Sequence, residues 1–269
     1  MDLSGPLLIQ EEGWTSCVGG DHKSPPSFLT VNRTRFIFPP ILPLIKYGLF
    51  PFYYCMSTDH HTVELVHHTP KGDDLVAYMA RVSNPDNQNN TETSARLIKY
   101  LIKHKHWSPF EMVNMCVEIN TTRSIAAQIL RHRSFSFQEF SQRYAEVTAK
   151  PDTLVVRRQD TKNRQSSIDD VDPYTSQDFQ IKAQQVYDLS YGLYNEMLAA
   201  GIAKECAREV LPMSAPTKLY MNGTLRSWIH YTDLRCANGT QLEHKVIADE
   251  CRKHMESCFP LVSKALSSI

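Results

Sequence analysis

Three arginines, one histidine, three serines and a glutamate fall within one short run, Arg131-His132-Arg133-Ser134-Phe135-Ser136-Phe137-Gln138-Glu139-Phe140-Ser141-Gln142-Arg143-Tyr144. Each arginine presents a planar fork of donors that matches phosphate or carboxylate oxygens, and it keeps its charge at any working pH. Serine hydroxyls and loop N–H groups can complete a phosphate cradle, and a glutamate in the same loop can orient a ribose hydroxyl or a base amide. The chemistry suggested is the binding of a small phosphorylated ligand. Two other readings use the same residue types. One is a solvated basic surface at a helix end, the commoner fate of a bare Arg-His-Arg triplet. The other is contact with a nucleic-acid polymer, a non-catalytic role in which Phe135, Phe137 and Phe140 would offer stacking faces. Spacing alone does not separate the three.

Charge balance narrows the choice. Lys+Arg 29 against Asp+Glu 29 leaves no net charge, so no global field recruits a polymer or an anionic membrane, and anion recognition must be local. The 269 residues, 42% hydrophobic and 22% charged, suffice for one large domain with a buried core. Seven cysteines (Cys17, Cys55, Cys116, Cys206, Cys236, Cys251, Cys258) are scattered, odd in number and without a C-x-x-C pair. That pattern fits reduced thiols in a cytoplasmic compartment. His60-His61, His67-His68 and His104-x-His106 lack a Cys or carboxylate at ligand spacing, so no metal is expected. Cys206 and Cys236 stand close to Arg208 and Arg235 but read as packing residues on their helices. Glu205 and Arg208, one helical turn apart, read either as an i,i+3 ion pair or as ligand residues.

The elements that must position this run follow from periodicity. Residues 62–67 alternate as a strand, with Val63, Leu65 and His67 on one side. Residues 73–83 read as a helix ended by Asn84-Pro85, and 91–105 as an amphipathic helix through Leu97, Ile98, Leu101 and Ile102. Val113, Met115, Val117 and Ile119 alternate, making 112–119 a strand with one buried face. Helical spacing returns at Ile125, Ala126, Ile129 and Leu130 and leads straight into Arg131. Residues 157–173 are polar and aperiodic and read as an exposed loop, with the question of whether it closes over a ligand. Phe179, Val186, Leu193 and Met197 mark a long helix that Gly201 terminates. Helices follow at 204–210, 224–234 and 241–259. Helices with a few strands in one unit define an α+β domain spanning 56–269.

Residues 36–55 are strongly apolar, but Pro39, Pro40, Pro43 and Pro51 interrupt them and Lys46 sits among them, so a straight membrane-spanning helix is not expected. Glu11 and Glu12 are wrong for the basic start of a signal peptide. Residues 1–55 are therefore read as a poorly structured extension, with Met56 an alternative start.

The run from Arg131 to Tyr144 resembles the signature of the flavin-dependent thymidylate synthases: Arg-His-Arg, a spacer, then Ser-x-Arg-Tyr. Further matches stand in the family's order. Ala80-Arg81-Val82-Ser83 is similar to an early A-R-V-S segment, and His106-Trp107-Ser108-Pro109-Phe110-Glu111 to its H-x-(S/T)-P-F-E element. Glu205-Cys206-Ala207-Arg208-Glu209-Val210-Leu211-Pro212 resembles E-x-A-R-x-x-L-P, and Leu225-Arg226-Ser227 with Asp233-Leu234-Arg235 resembles the late arginine-bearing helix. Gln138 stands where many members have asparagine, and His230 where asparagine also occurs.

The resemblance implies a helix-rich domain with a small central sheet and reductive methylation of dUMP to dTMP. Methylenetetrahydrofolate would give the carbon, and FAD reduced by NADPH the hydride. It implies FAD contacts from Ser83, Ser108, Arg131, His132, Arg133, Glu139, Thr224, Leu225, Arg226 and His230. It implies that dUMP is held by Gln128, Arg131, Glu139, Phe140, Ser141, Gln142, Arg143, Arg208 and Arg235. Among these, Arg235 would stabilise the ionised pyrimidine as the catalytic residue. His106 matches a histidine near the flavin. No cysteine nucleophile is needed, and the implied assembly is a homotetramer with shared active sites.

Overall fold

The computed structural model describes residues 61–268, so the expectations for residues 1–55 and Met56 lie outside the described residues. Four antiparallel strands, β1 (Thr62–His68), β2 (Asn114–Thr122), β3 (Phe135–Glu139) and β6 (Pro216–Thr224), form the main sheet in the order β1-β2-β6-β3. The centre of the sheet follows from alternation. Met115, Val117 and Ile119 of β2 face inward beside Leu219, Met221 and Gly223 of β6, all buried, while Glu118, Lys218 and Tyr220 face outward.

Onto the inner face pack α1 (Gly72–Ala80), α2 (Ser94–Lys103), α3 (Arg123–Ile129), α6 (Leu225–Arg235), α7 (Leu242–Cys258) and α8 (Pro260–Leu266), sharing one hydrophobic core with the strands. Trp228 of α6 is fully buried, and its indole N–H donates to the Met115 carbonyl at 2.9 Å, which locks α6 against β2. Asp73 of α1 accepts from the backbone N–H groups of Leu261 and Val262 at 2.8 and 3.2 Å and so fixes the start of α8.

The long helix α4 (Pro173–Ala199) and the short α5 (Lys204–Ala207) build a smaller cluster around Val147, Tyr191, Tyr194 and Ala207. Asp172 caps α4 by accepting from Thr175 N–H, and Gly201, at φ +79°, takes the left-handed conformation that ends it. The buried face of α4 differs from the expected one. Tyr187, Tyr191 and Tyr194 point inward, whereas Phe179, Val186 and Leu193 are exposed and only Met197 packs against the cluster. Tyrosine carries the contact because its hydroxyl also serves the chain: Tyr191 donates to Ala149 O and Tyr194 accepts from Val147 N–H.

Two strands extend the expected picture. Residues 135–139, read as a continuation of the arginine loop, are strand β3, and β6 lies in a stretch for which no element was expected. The 157–173 segment is not structureless: β4 (Arg158–Gln159) and β5 (Ser167–Ile168) pair as a small hairpin. No helix among the described residues is long and apolar enough to cross a membrane.

Candidate active site

Helix α3 ends at Ile129, and the turn that follows carries Arg131, His132 and Arg133 before β3 begins. The side chains of Arg131 and Arg133 are exposed and, among the described residues, have no ion-pair or hydrogen-bond partner. His132 turns inward. Its Nε2 accepts from Arg235 Nε at 2.9 Å, and its ring meets Tyr231 edge-on at 4.9 Å. A guanidinium can only donate, so Nε2 carries no proton and the imidazole is neutral. Burial, and then the charge of Arg235 with His230 and Arg131, holds His132 down to about 4. The outcome is an arginine anchored through Nε whose terminal nitrogens remain available to a ligand.

Behind this pair lies a buried polar group. Tyr231 and His244 are both fully buried and meet at 3.1 Å between the phenol oxygen and Nε2. His244 Nδ1 lies 3.3 Å from Gln128 Oε1, and Gln128 Nε2 donates to Gln241 Oε1 at 2.7 Å. Burial and the Arg235 charge hold His244 down to about 3. Gln128, His132 and Arg235, singled out from the sequence, are thus brought together.

Arg226 and His230 face a neighbouring space, with His230 still near enough for its charge to reach His132. They line a cleft of about 760 Å³ with Trp107, Ser134, Arg252 and Glu256. Arg226 pairs with Glu111 of the Ser-Pro-Phe-Glu turn. At about 100° per residue, Arg235 lies roughly 180° around α6 from Arg226, and His230 falls on the Arg226 side. The helix therefore offers two of the expected flavin contacts on one face and the expected catalytic arginine on the other.

A third group stands beyond the far end of β3. Arg143 pairs with Glu205 at 3.0 Å, and Ser141, Arg143, Tyr144, Lys204 and Glu205 line a shallow pocket. Of the two readings of Glu205 and Arg208, the i,i+3 ion pair is not made. Glu205 reaches across to Arg143, while Arg208 pairs with its neighbour Glu209 at 3.4 Å. Glu139 is held by Arg123 at 2.5 Å and by Thr217 Oγ1 at 3.0 Å. Gln142 is buried with its amide nitrogen unpartnered, and Phe140 is partly exposed.

Other expected contacts have roles within the chain. Leu225 is fully buried in the core and its N–H donates to Val113 O, so its side chain has no free face for a flavin. Thr224 caps α6 by accepting from Ser227 N–H. Ser83 and Ser108 are exposed in turns after α1 and α2. His106 stacks loosely with Tyr100 and His104 on the surface. Cys206, read as a packing residue, is exposed, whereas Cys236 packs partly against the core. Tyr231, Gln241 and His244 were not marked by any motif. Tyr231 alone carries a sequence signal, its i, i+4 spacing to Arg235; Gln241 and His244 carry none.

Among the described residues no group of His, Cys, Asp and Glu is arranged to hold a metal ion. Residues 64–261 match the family described as thymidylate synthase complementing protein. A probable flavin-dependent thymidylate synthase of Paramecium bursaria Chlorella virus 1 is 53% identical over 72% of this chain and 90% of its own length. The flavin-dependent thymidylate synthase of Synechocystis is 52% identical over 74% of this chain and 90% of its own. The crystal structure of a UMP/dUMP methylase, PolB from Streptomyces cacaoi, bound with 5-Br dUMP, superposes with a TM-score of 0.70 at 28% identity, covering 78% of this chain and 95% of that one. With its arginine turn, its anchored Arg235 and relatives of this similarity, the chain belongs to the family of flavin-dependent thymidylate synthases.

Proposed function

We propose that the protein methylates dUMP to dTMP with FAD as its flavin, methylenetetrahydrofolate as carbon donor and NADPH as reductant. The observation that carries the reading is the Arg235–His132 pair. Nε is tied to a neutral imidazole, so the guanidinium is held without losing charge to a carboxylate. Its free nitrogens can meet negative charge developing on N3 and O2 of the uracil ring, and fixed positive charge in a partly buried place is worth most at the moment that charge appears. Arg131 and Arg133, unpaired among the described residues, supply charge for phosphate. Arg143 and Arg208, each facing only a partly exposed glutamate, are exchangeable onto a nucleotide at small cost.

The residues present fit a flavin. The cleft beside Arg226 and His230 has the size of a small-molecule site and an aromatic wall in Trp107. Because Arg226 is paired with Glu111, and Asp233 and Glu256 also line the cleft, the charge for a pyrophosphate falls to the exposed Arg131 and Arg133. When bound, FAD reduced by NADPH supplies the hydride that completes the methyl group. The chain's own part is orientation and charge stabilisation. A thiol nucleophile is not required, and burial with Asp249 pushes the Cys236 thiol up to about 12, leaving it protonated at neutral pH.

On this reading the enzyme is a cytoplasmic homotetramer whose sites draw residues from several copies. The divided faces of α6 and the exposed Phe179, Val186 and Leu193 of α4 support it. The test is release of tritium from dUMP labelled at C5, with FAD, NADPH and methylenetetrahydrofolate present or singly omitted. Release that requires all three, and falls about 10²- to 10³-fold in Arg235→Ala, is expected. No release from folded, flavin-loaded protein would refute the reading.

A further inference from the structure

The hydrogen-bond chain behind Arg235 has a direction, and that direction starts at the 158–168 hairpin. Arg157, at its base, donates from Nη2 to Glu243 Oε1 at 2.5 Å and from Nε to Ser167 at 2.9 Å. The Arg157 and Glu243 side chains are only 11% and 18% exposed. Burial pushes the Glu243 carboxyl up, but its own backbone N–H and Arg157 outweigh this and hold it below the usual carboxylate range. An ionised carboxylate only accepts, so Gln241 must turn its amide nitrogen toward Glu243, as it does at 2.9 Å. Gln241 Oε1 then faces Gln128, which must donate Nε2 to it at 2.7 Å. Gln128 Oε1 consequently faces His244, whose Nδ1 has to carry the proton. His244 Nε2 is left as an acceptor for the Tyr231 hydroxyl. Each amide orientation is forced by the one before it.

We propose that Glu243 and His244 are positioning residues that hold the Gln128 amide one way round, presenting one N–H and one carbonyl lone pair in fixed places to the bound nucleotide. This rests on reading Gln128 as a nucleotide contact. An unbraced glutamine amide turns over at will and offers a donor or an acceptor with equal ease. Braced on both sides, it selects a ligand edge, and reversing it would set like against like.

Wild-type protein with nitrogen-15 histidine tests the chain without any substitution, because the ring nitrogen shifts distinguish the two neutral tautomers. His244 protonated on Nδ1 is expected, and protonation on Nε2 overturns the proposal. Glu243→Gln keeps the shape but can donate, so the chain loses its direction. This variant is expected to populate the Nε2–H form of His244 and to weaken dUMP binding about tenfold, the cost of one misdirected hydrogen bond. In a Gln128→Ala background the same substitution should weaken binding no further. An equal loss in both backgrounds overturns the proposal, since Glu243 would then act elsewhere. If Gln128→Ala alone leaves dUMP binding unchanged, the nucleotide role of Gln128 falls and takes the proposal with it. The tautomer measurement tells that failure apart, because it does not depend on what Gln128 touches.

Discussion

His132 and His244 are held neutral against different partners, one under a guanidinium and the other between a phenol and an amide. Both are bases whose folded values, about 4 and about 3, lie below the ordinary 6.5. The unfolded chain therefore binds more protons than the folded one once pH drops below 6.5. Their contribution to stability is complete above that value and is lost progressively as pH falls toward 4 and then 3. For fully buried His244 the loss is on the order of 5 kcal/mol over the whole interval. Replacing it with asparagine, whose amide nitrogen can stand where Nδ1 does, removes the titration. In urea unfolding, the stability of wild type minus that of His244→Asn should shrink steadily from pH 7 to pH 4.5. A difference that stays constant across that range would contradict the assignment of a neutral, buried imidazole. None of this was legible in the sequence, where His244 is one polar residue in an amphipathic helix. What marks it is burial, which is a property of the fold around it.

At the scale of elements, β3 and β6 decide where the arginine turn sits. Phe135 opens β3 directly after the turn and pairs with Gly223 of β6. A Cβ at Gly223 would come within 2.4 Å of the Phe135 ring, which itself packs on Trp228 at 4.8 Å. Gly223→Ala is therefore expected to cost about 2 kcal/mol in urea unfolding, as overpacking in a filled core does. It should also lower turnover, because a displaced Phe135 carries His132 with it. Unchanged stability would mean that β3 is looser than its register implies. The sequence made the arginine run readable as a ligand site but hid the strand inside it, since Phe-Ser-Phe-Gln-Glu alternates for only five residues. β6 alternates more clearly, with Thr217, Leu219, Met221 and Gly223 inward, yet Pro216 at its start and Gly223 one residue before its end disguise it. In α4 the periodicity announced a helix and an apolar stripe. It could not say whether that stripe meets the chain's own core, and here tyrosines take that place.

At the scale of the molecule, the division of the site within one chain becomes the argument for sharing it between chains. β3 separates His132 from Ser141, and five strand residues extend about 16 Å at roughly 3.3 Å each. Arg235 thus lies toward one end of that strand, with Arg143 and Arg208 toward the other, and Arg226 looks out of the opposite face of α6. A nucleotide held at its ring by Arg235 and at its phosphate by Arg208 is most simply served by two copies. Arg235→Ala and Arg208→Ala would each be inactive alone under either arrangement. If one copy supplies Arg235 and its neighbour Arg208, unfolding the two variants together and refolding them as a mixture assembles some sites with both arginines intact. Random assortment in an equal mixture gives about a quarter of the wild-type sites. Turnover of that order, absent before mixing, is the expected result. If one chain supplies both arginines, every site keeps a defect and mixing restores nothing, which would return the whole site to a single copy.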